Sequence, residues 1–171
     1  AEEALIGAVL INPEVYLDVA QFLSVDDFFI VRNQWIWDCF HHLSETRQPI
    51  DLVTLTETLS NRGQLEEIGG QVYLISLVNR APNAFHAESY GRIIEQSAIR
   101  RRMLEAANEI AQLAYRQDQS IDTVVDEAEK SLFNVSERRI KRDLVPIKEV
   151  VREYYERIDE LSRRPDDIYG V

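Results

Sequence analysis

One cysteine, one methionine, six glycines and five prolines in 171 residues leave little material for several common designs. The lone Cys39, inside the apolar run WIWDCF, excludes an intramolecular disulfide framework. It reads as a small buried apolar residue in a reducing cytoplasm, so a cytoplasmic protein is expected. No apolar run approaches the ~18–20 residues that span a bilayer, and no membrane segment is expected. Nor does a basic-plus-apolar leader open the chain, so nothing marks export. Basic charge is also short: 19 Lys and Arg stand against 30 Asp and Glu, a net of −11. Such a chain is poorly suited to wrap a nucleic-acid backbone, which takes clustered Lys and Arg.

Recognisable catalytic patterns are missing too. The glycines at 7, 63, 69, 70, 91 and 170 match neither a phosphate loop nor a dinucleotide-binding turn. In LEEIGGQVYL the pair Gly69-Gly70 follows Glu66 and Glu67, which repel an anion, so it reads as a corner between helices that swings Val72 to Val78 into the core. His41 and His42 are neighbours, and on a helix their side chains diverge by about 100°. Asp38 and His42 are four apart and suited to pair, but no ligand spacing for a metal appears. The acidic pairs Asp26-Asp27 and Glu66-Glu67 read as solvated faces or first-turn charges. Arg100 to Arg102 lie in mid-helix and spread around its surface. No nucleophile has a recognisable base beside it. These residues predict no catalytic, cofactor or metal site.

What is present is helical periodicity nearly throughout, which predicts an all-α fold. EEALIGAVLI is a short helix ending at Asn12, the expected N-cap of a helix that starts with Pro13. The next carries Val31, Trp35, Ile36, Cys39, Phe40 and Leu43 as its core stripe. Asp51 caps LVTLTETLSNR and Gly63 ends it. A long helix from about Asn83 to Tyr115 shows the stripe Ile99, Met103, Ala107, Ile110 and Ala114. After RQDQS, with Ser120 as N-cap, another helix shows Ile121, Val124, Val125, Ala128, Leu132 and Val135. So short a connection predicts an antiparallel helical hairpin. SERRIKRDLV, 136–145, reads as a charged linker, and after Pro146 an amphipathic helix at about 147–163 carries Ile147, Val150, Val151, Tyr154, Ile158 and Leu161. The chain then ends in the non-helical RRPDDIYGV. The predicted organisation is a compact helical globule over 1–95, a hairpin over 96–136 and a linker with one helix over 137–171. Charge supports a division: residues 1–99 carry 5 basic and 14 acidic side chains, and 100–171 carry 14 and 16.

Taken in order, EEALIGAVLINP, DDFF, PIDLVTLTETLSNRGQLEEIGGQVYLISL, AP and YGRIIEQSAIRRRML resemble the N-terminal domain and linker of the bacterial replicative DNA helicases, the DnaB family. Asn33 stands where the family often has histidine, and His86 where it often has asparagine; both read as cap or surface changes. The resemblance implies a non-catalytic collar of a hexameric helicase, with ATP and magnesium acting in a separate motor domain. It implies self-association as dimers or a ring, docking of primase and a helicase loader, and control of ring state. Contact with single-stranded DNA would come mainly through the motor. Placed on the predicted hairpin, the partner contacts are Tyr115, Ile121, Asp122 and Val125. The linker helix would dock on a neighbouring subunit through Ile147, Val151, Tyr154, Ile158 and Leu161. The alternatives are an acidic helical adaptor resembling a helicase loader, distinguished by a monomeric state, and an unrecognised enzyme, distinguished by nucleotide binding.

Overall fold

The computed structural model describes residues 1–163, with side chains described for 1–137 and 150–163. No strand occurs among them. Seven α-helices follow in order: α1 (Glu2–Ile11), α2 (Val15–Ala20), α3 (Val31–Glu45), α4 (Leu52–Asn61), α5 (Gly70–Arg80), α6 (Ala87–Tyr115) and α7 (Ile121–Arg163). Single 3-10 turns at Val25–Asp27 and Ala84–His86 precede α3 and α6. The chain forms two compact units, Ala1–Glu105 and the part from Ala106 onward.

In the first unit α1 is the central element. Leu5, Ile6, Gly7, Ala8 and Val9 are all buried, as expected of a helix that is apolar all round. It packs on α5, α3, α2 and the 84–86 turn. Gly7 makes the α5 contact possible, because a Cβ there would meet the Leu77 carbonyl oxygen and sit 2.7 Å from Ala81 Cβ. An aromatic cluster centres on Trp37, whose ring centre is 5.1 Å from Tyr16 and 5.0 Å from Phe28, both tilted, and 5.8 Å from Phe40, edge-on.

The α3 stripe is partly corrected. Ile36, Cys39, Phe40 and Leu43 are buried as expected, but Val31 is exposed and Trp35 half-buried, while Asn33 and Trp37 are buried. The helix is covered by α1, α4 and the 25–27 turn, so its buried arc is wider than one stripe. Asn33 is therefore not a surface change. Its Nδ2 donates to Glu2 Oε2 at 2.8 Å, and its Oδ1 accepts from the Tyr73 hydroxyl at 2.8 Å. His86 is exposed, as read.

Termini follow sequence closely, with one shift. Asn12 Oδ1 accepts from the Glu14 amide at 3.3 Å, and the regular helix begins at Val15, so Asn12 and Pro13 form the turn before α2. Asp51 caps α4, its Oδ1 accepting from the Thr54 amide at 2.8 Å while Thr54 Oγ1 accepts from the Asp51 amide at 3.1 Å. Gly63, φ 67°, stands two residues past the end of α4 at Asn61 and takes the left-handed conformation that stops it.

In the second unit the end of α6 and the start of α7 form a hairpin through Arg116–Ser120. Ala106, Leu113, Val124 and Ser131 are its buried residues among those described. The stretch 136–145 is helical, and α7 runs unbroken past Pro146 to Arg163. Glu, Arg, Lys and Leu in that stretch are strong helix formers, and charge alone does not end a helix. Pro146 removes one amide donor from the ladder without ending it.

Candidate protein-interaction surfaces

The glycine pair is a corner. Residues 65–68 make one helical turn, closed by Gly69 N–H to the Glu66 carbonyl at 3.1 Å and Gly70 N–H to the Leu65 carbonyl at 2.8 Å. This crossed pair of bonds is a Schellman cap, which needs a left-handed residue; Gly69 has φ 107° and Gly70 φ 70°. The corner aims Leu74 and Leu77 into the core. Val72 and Ile75, which the sequence places there, are exposed instead, because α5 buries one face alone.

The polar candidates resolve into pairs. Asp38 Oδ2 accepts from Arg62 Nη1 at 2.6 Å rather than pairing with His42, and His41 Nε2 lies 3.1 Å from Glu45. No cluster of three or more metal-ligating side chains occurs among the described residues. Burial pushes the Cys39 thiol up to about 11, with Arg62 opposing and Asp38 reinforcing. That thiol is not a nucleophile at neutral pH. No helix among the described residues is long and apolar enough to cross a membrane.

Asp26-Asp27 do lie in the first turn of the 25–27 helix, and Asp26 and Arg100 are exposed as read, but Asp27, Arg101 and Arg102 are not free surface charge. The Asp27 side chain is fully buried: Arg102 Nη2 donates to its Oδ1 at 2.6 Å, and the Ser24 amide to its Oδ2 at 2.8 Å. Arg101 Nη2 donates to the Asp27 carbonyl at 2.7 Å, with its guanidinium 5.2 Å from the Phe29 ring centre. Sequence offered no sign of this, since the partners are 75 positions apart.

α6 shows where the stripe reading failed. Its covered face in the first unit runs Ala87, Gly91, Ile94 and Ala98, whereas Met103 is exposed, Ile99 and Ile110 are half-buried, and Ala107 and Ala114 face out. Small residues at 87, 91 and 98 let helices approach closely: a Cβ on Gly91 would sit 2.9 Å from Val19 Cγ1. That run of small residues was the available signal.

The hairpin tip gathers the predicted contact residues. Tyr115 ends α6, with Ile121, Asp122 and Val125 on the first turns of α7, after a turn where the Ser120 and Thr123 hydroxyls are 2.8 Å apart. Tyr115 is 87% exposed, Ile121 73% and Val125 45%. Val124 covers the inner face, and Ala128 and Val135 are half-buried. Leu132 and Phe133 are exposed as well. Leu132 is two turns beyond Val125 on its face, whereas Phe133 was missed, being off the stripe chosen from sequence. The hairpin thus covers one side of its apolar residues and leaves the other open.

Further along α7, Val151, Tyr154, Ile158 and Leu161 are exposed, together with Val150 and Tyr155. The side chain of Ile147 and the segment 164–171 lie outside the described residues.

A model of the DnaB-like helicase N-terminal domain matches residues 1–96. The chain is 34% identical over all 171 residues to the replicative DNA helicase DnaC of Bacillus subtilis, spanning 38% of that protein. It is 34% identical over the same length to the replicative DNA helicase DnaB of Geobacillus stearothermophilus, again spanning 38%. Among solved structures, the N-terminal domain of DnaB helicase from Mycobacterium tuberculosis superposes with a TM-score of 0.74 at 30% identity, covering 78% of this chain and 94% of that one. The similarity is to the helicase's N-terminal domain, and the catalytic domain is not within these 171 residues. An all-helical fold, the Schellman corner before α5 and the long α6 thus belong to a member of the DnaB-like helicase N-terminal domain family.

Proposed function

We propose that this chain is the collar of a replicative helicase. It is a non-catalytic scaffold that associates with copies of itself through the hairpin, receives primase and a loader, and so biases the state of the ring. The observation that carries this reading is the uncovered apolar side of the hairpin, with Tyr115, Ile121 and Val125 exposed at one end and Leu132 and Phe133 further along. A buried large side chain contributes about 1.5–3 kcal/mol, so a handful of such residues suffices for pairing after ordering costs. Two identical hairpins present the same face to one another, which favours a two-fold pair. Asp122, exposed beside Ile121, supplies a charged rim.

On this reading the exposed face of α7 at Val151, Tyr154, Ile158 and Leu161 docks on a neighbouring subunit's motor, with Ile147 the further residue that the sequence assigns to that contact. ATP and magnesium act in that motor, and single-stranded DNA is gripped mainly there. The direct test of partner docking is calorimetric titration of primase from the same organism into the wild-type chain and into Tyr115→Ala/Ile121→Ala. Affinity is expected to fall at least tenfold with helicity by circular dichroism unchanged. Equal affinity removes the hairpin tip from the primase site.

A further inference from the structure

The buried charge at Asp27 has no part in the surfaces above, yet it joins two segments 75 positions apart. Between Ala98 and Ala106, α6 buries no residue fully: Ile99, Arg101 and Arg102 are half-buried, and Arg100, Met103, Leu104 and Glu105 are exposed. Little apolar area therefore holds residues 99–105 to the first unit. What does hold them is polar and partly desolvated. Arg102, its side chain 15% exposed, meets Asp27 Oδ1 at 2.6 Å, and Arg101 donates to the Asp27 carbonyl at 2.7 Å. The Ser24 amide and hydroxyl bind the other carboxylate oxygen at 2.8 and 3.2 Å, so the turn on which Asp27 sits is closed by the same side chain.

We propose that Asp27 is a conformational latch: it makes the 24–27 turn, short of the core-anchored Phe28, and residues 99–105 of α6 a single opening unit, less stable than the core around α1. A charge pair out of water is held only while both members are present, and losing one strands the other. Once released, residues 99–105 are a mid-helix stretch with little tertiary packing of their own, and they open locally. Proteins open in such cooperative parts, drawn from regions with few buried apolar contacts. The latch lies within the first unit and stands whether or not hairpins pair copies.

Amide hydrogen exchange followed by mass spectrometry on the full chain tests it. In the wild-type chain, amides of 24–27 and 99–105 are expected to exchange together, at least tenfold faster than those of Leu5–Val9. Asp27→Asn, which keeps shape and removes charge, is expected to accelerate both segments at least tenfold further and to leave Leu5–Val9 unchanged. Arg102→Gln is expected to give the same regional pattern, and the double variant little more than either alone. Exchange of the two segments only with α1, or a different rate for each in the wild type, overturns the latch. So does an Asp27→Asn chain whose exchange is unchanged or raised uniformly. If that variant does not fold, the wild-type rates decide.

Discussion

At Gly7 a single hydrogen in place of a methyl group allows α1 and α5 to touch. Gly7→Ala forces the new Cβ against the Leu77 carbonyl, which is backbone and cannot swing aside. The expected cost is about 1–3 kcal/mol, read as a lower midpoint in urea unfolding. Gly69 and Gly70 differ in a checkable way. Gly69 has φ 107° with the Tyr73 Cβ close by, whereas Gly70 has the near-ideal left-handed φ 70° and open space beside it. Gly70→Ala should cost about 1–2 kcal/mol, the usual left-handed penalty, and Gly69→Ala more. Two phenols also carry predictions. Tyr16 is pushed up to about 12 by burial, with Glu45 and Asp38 adding to it. Tyr73 is pushed up to about 12 by burial first, Arg32 opposing and Glu3 reinforcing. The folded chain holds these protons where the unfolded chain releases them near pH 10. Their stabilisation is therefore full below pH 10 and lost as pH rises through about 12. Denaturation midpoints measured from pH 9 to 12 should fall, and Tyr73→Phe should flatten the fall.

Elements were easier to read than their faces. The α4 cap was legible because Asp51 and Thr54 signal it within four residues, and both reciprocal bonds are present. Asp51→Ala should cost about 1 kcal/mol and leave the rest of the unit intact, as thermal unfolding would show. The glycine corner was legible for the same reason: a Schellman cap is local chemistry. Trp37, Asn33 and the covered face of α6 were not, because a helix enclosed on several sides, or carrying apolar residues on two faces, does not announce which face is buried. Asp27 with Arg102 was illegible for a different reason, since a pair 75 positions apart leaves no periodic trace. The stretch 136–145, read as a charged linker, is helical because Glu, Arg and Lys support a helix.

For the whole molecule, sequence and fold agree on an acidic helical domain of the DnaB-like helicase N-terminal family, and the proposed collar role stands or falls on the hairpin. Its predicted contacts Tyr115, Ile121 and Val125 sit together near one turn and remain exposed in the single chain. An apolar face left open on two packed helices is completed by another copy of itself or by a partner. Sedimentation equilibrium of the wild-type chain and of Tyr115→Ala/Ile121→Ala/Val125→Ala, across micromolar concentrations, tests this most directly. The account predicts a wild-type mass of two or more chains and a variant mass near one chain of 19.8 kDa, with equal helicity. A wild-type chain that stays monomeric, or a triple variant that associates as the wild type does, contradicts it.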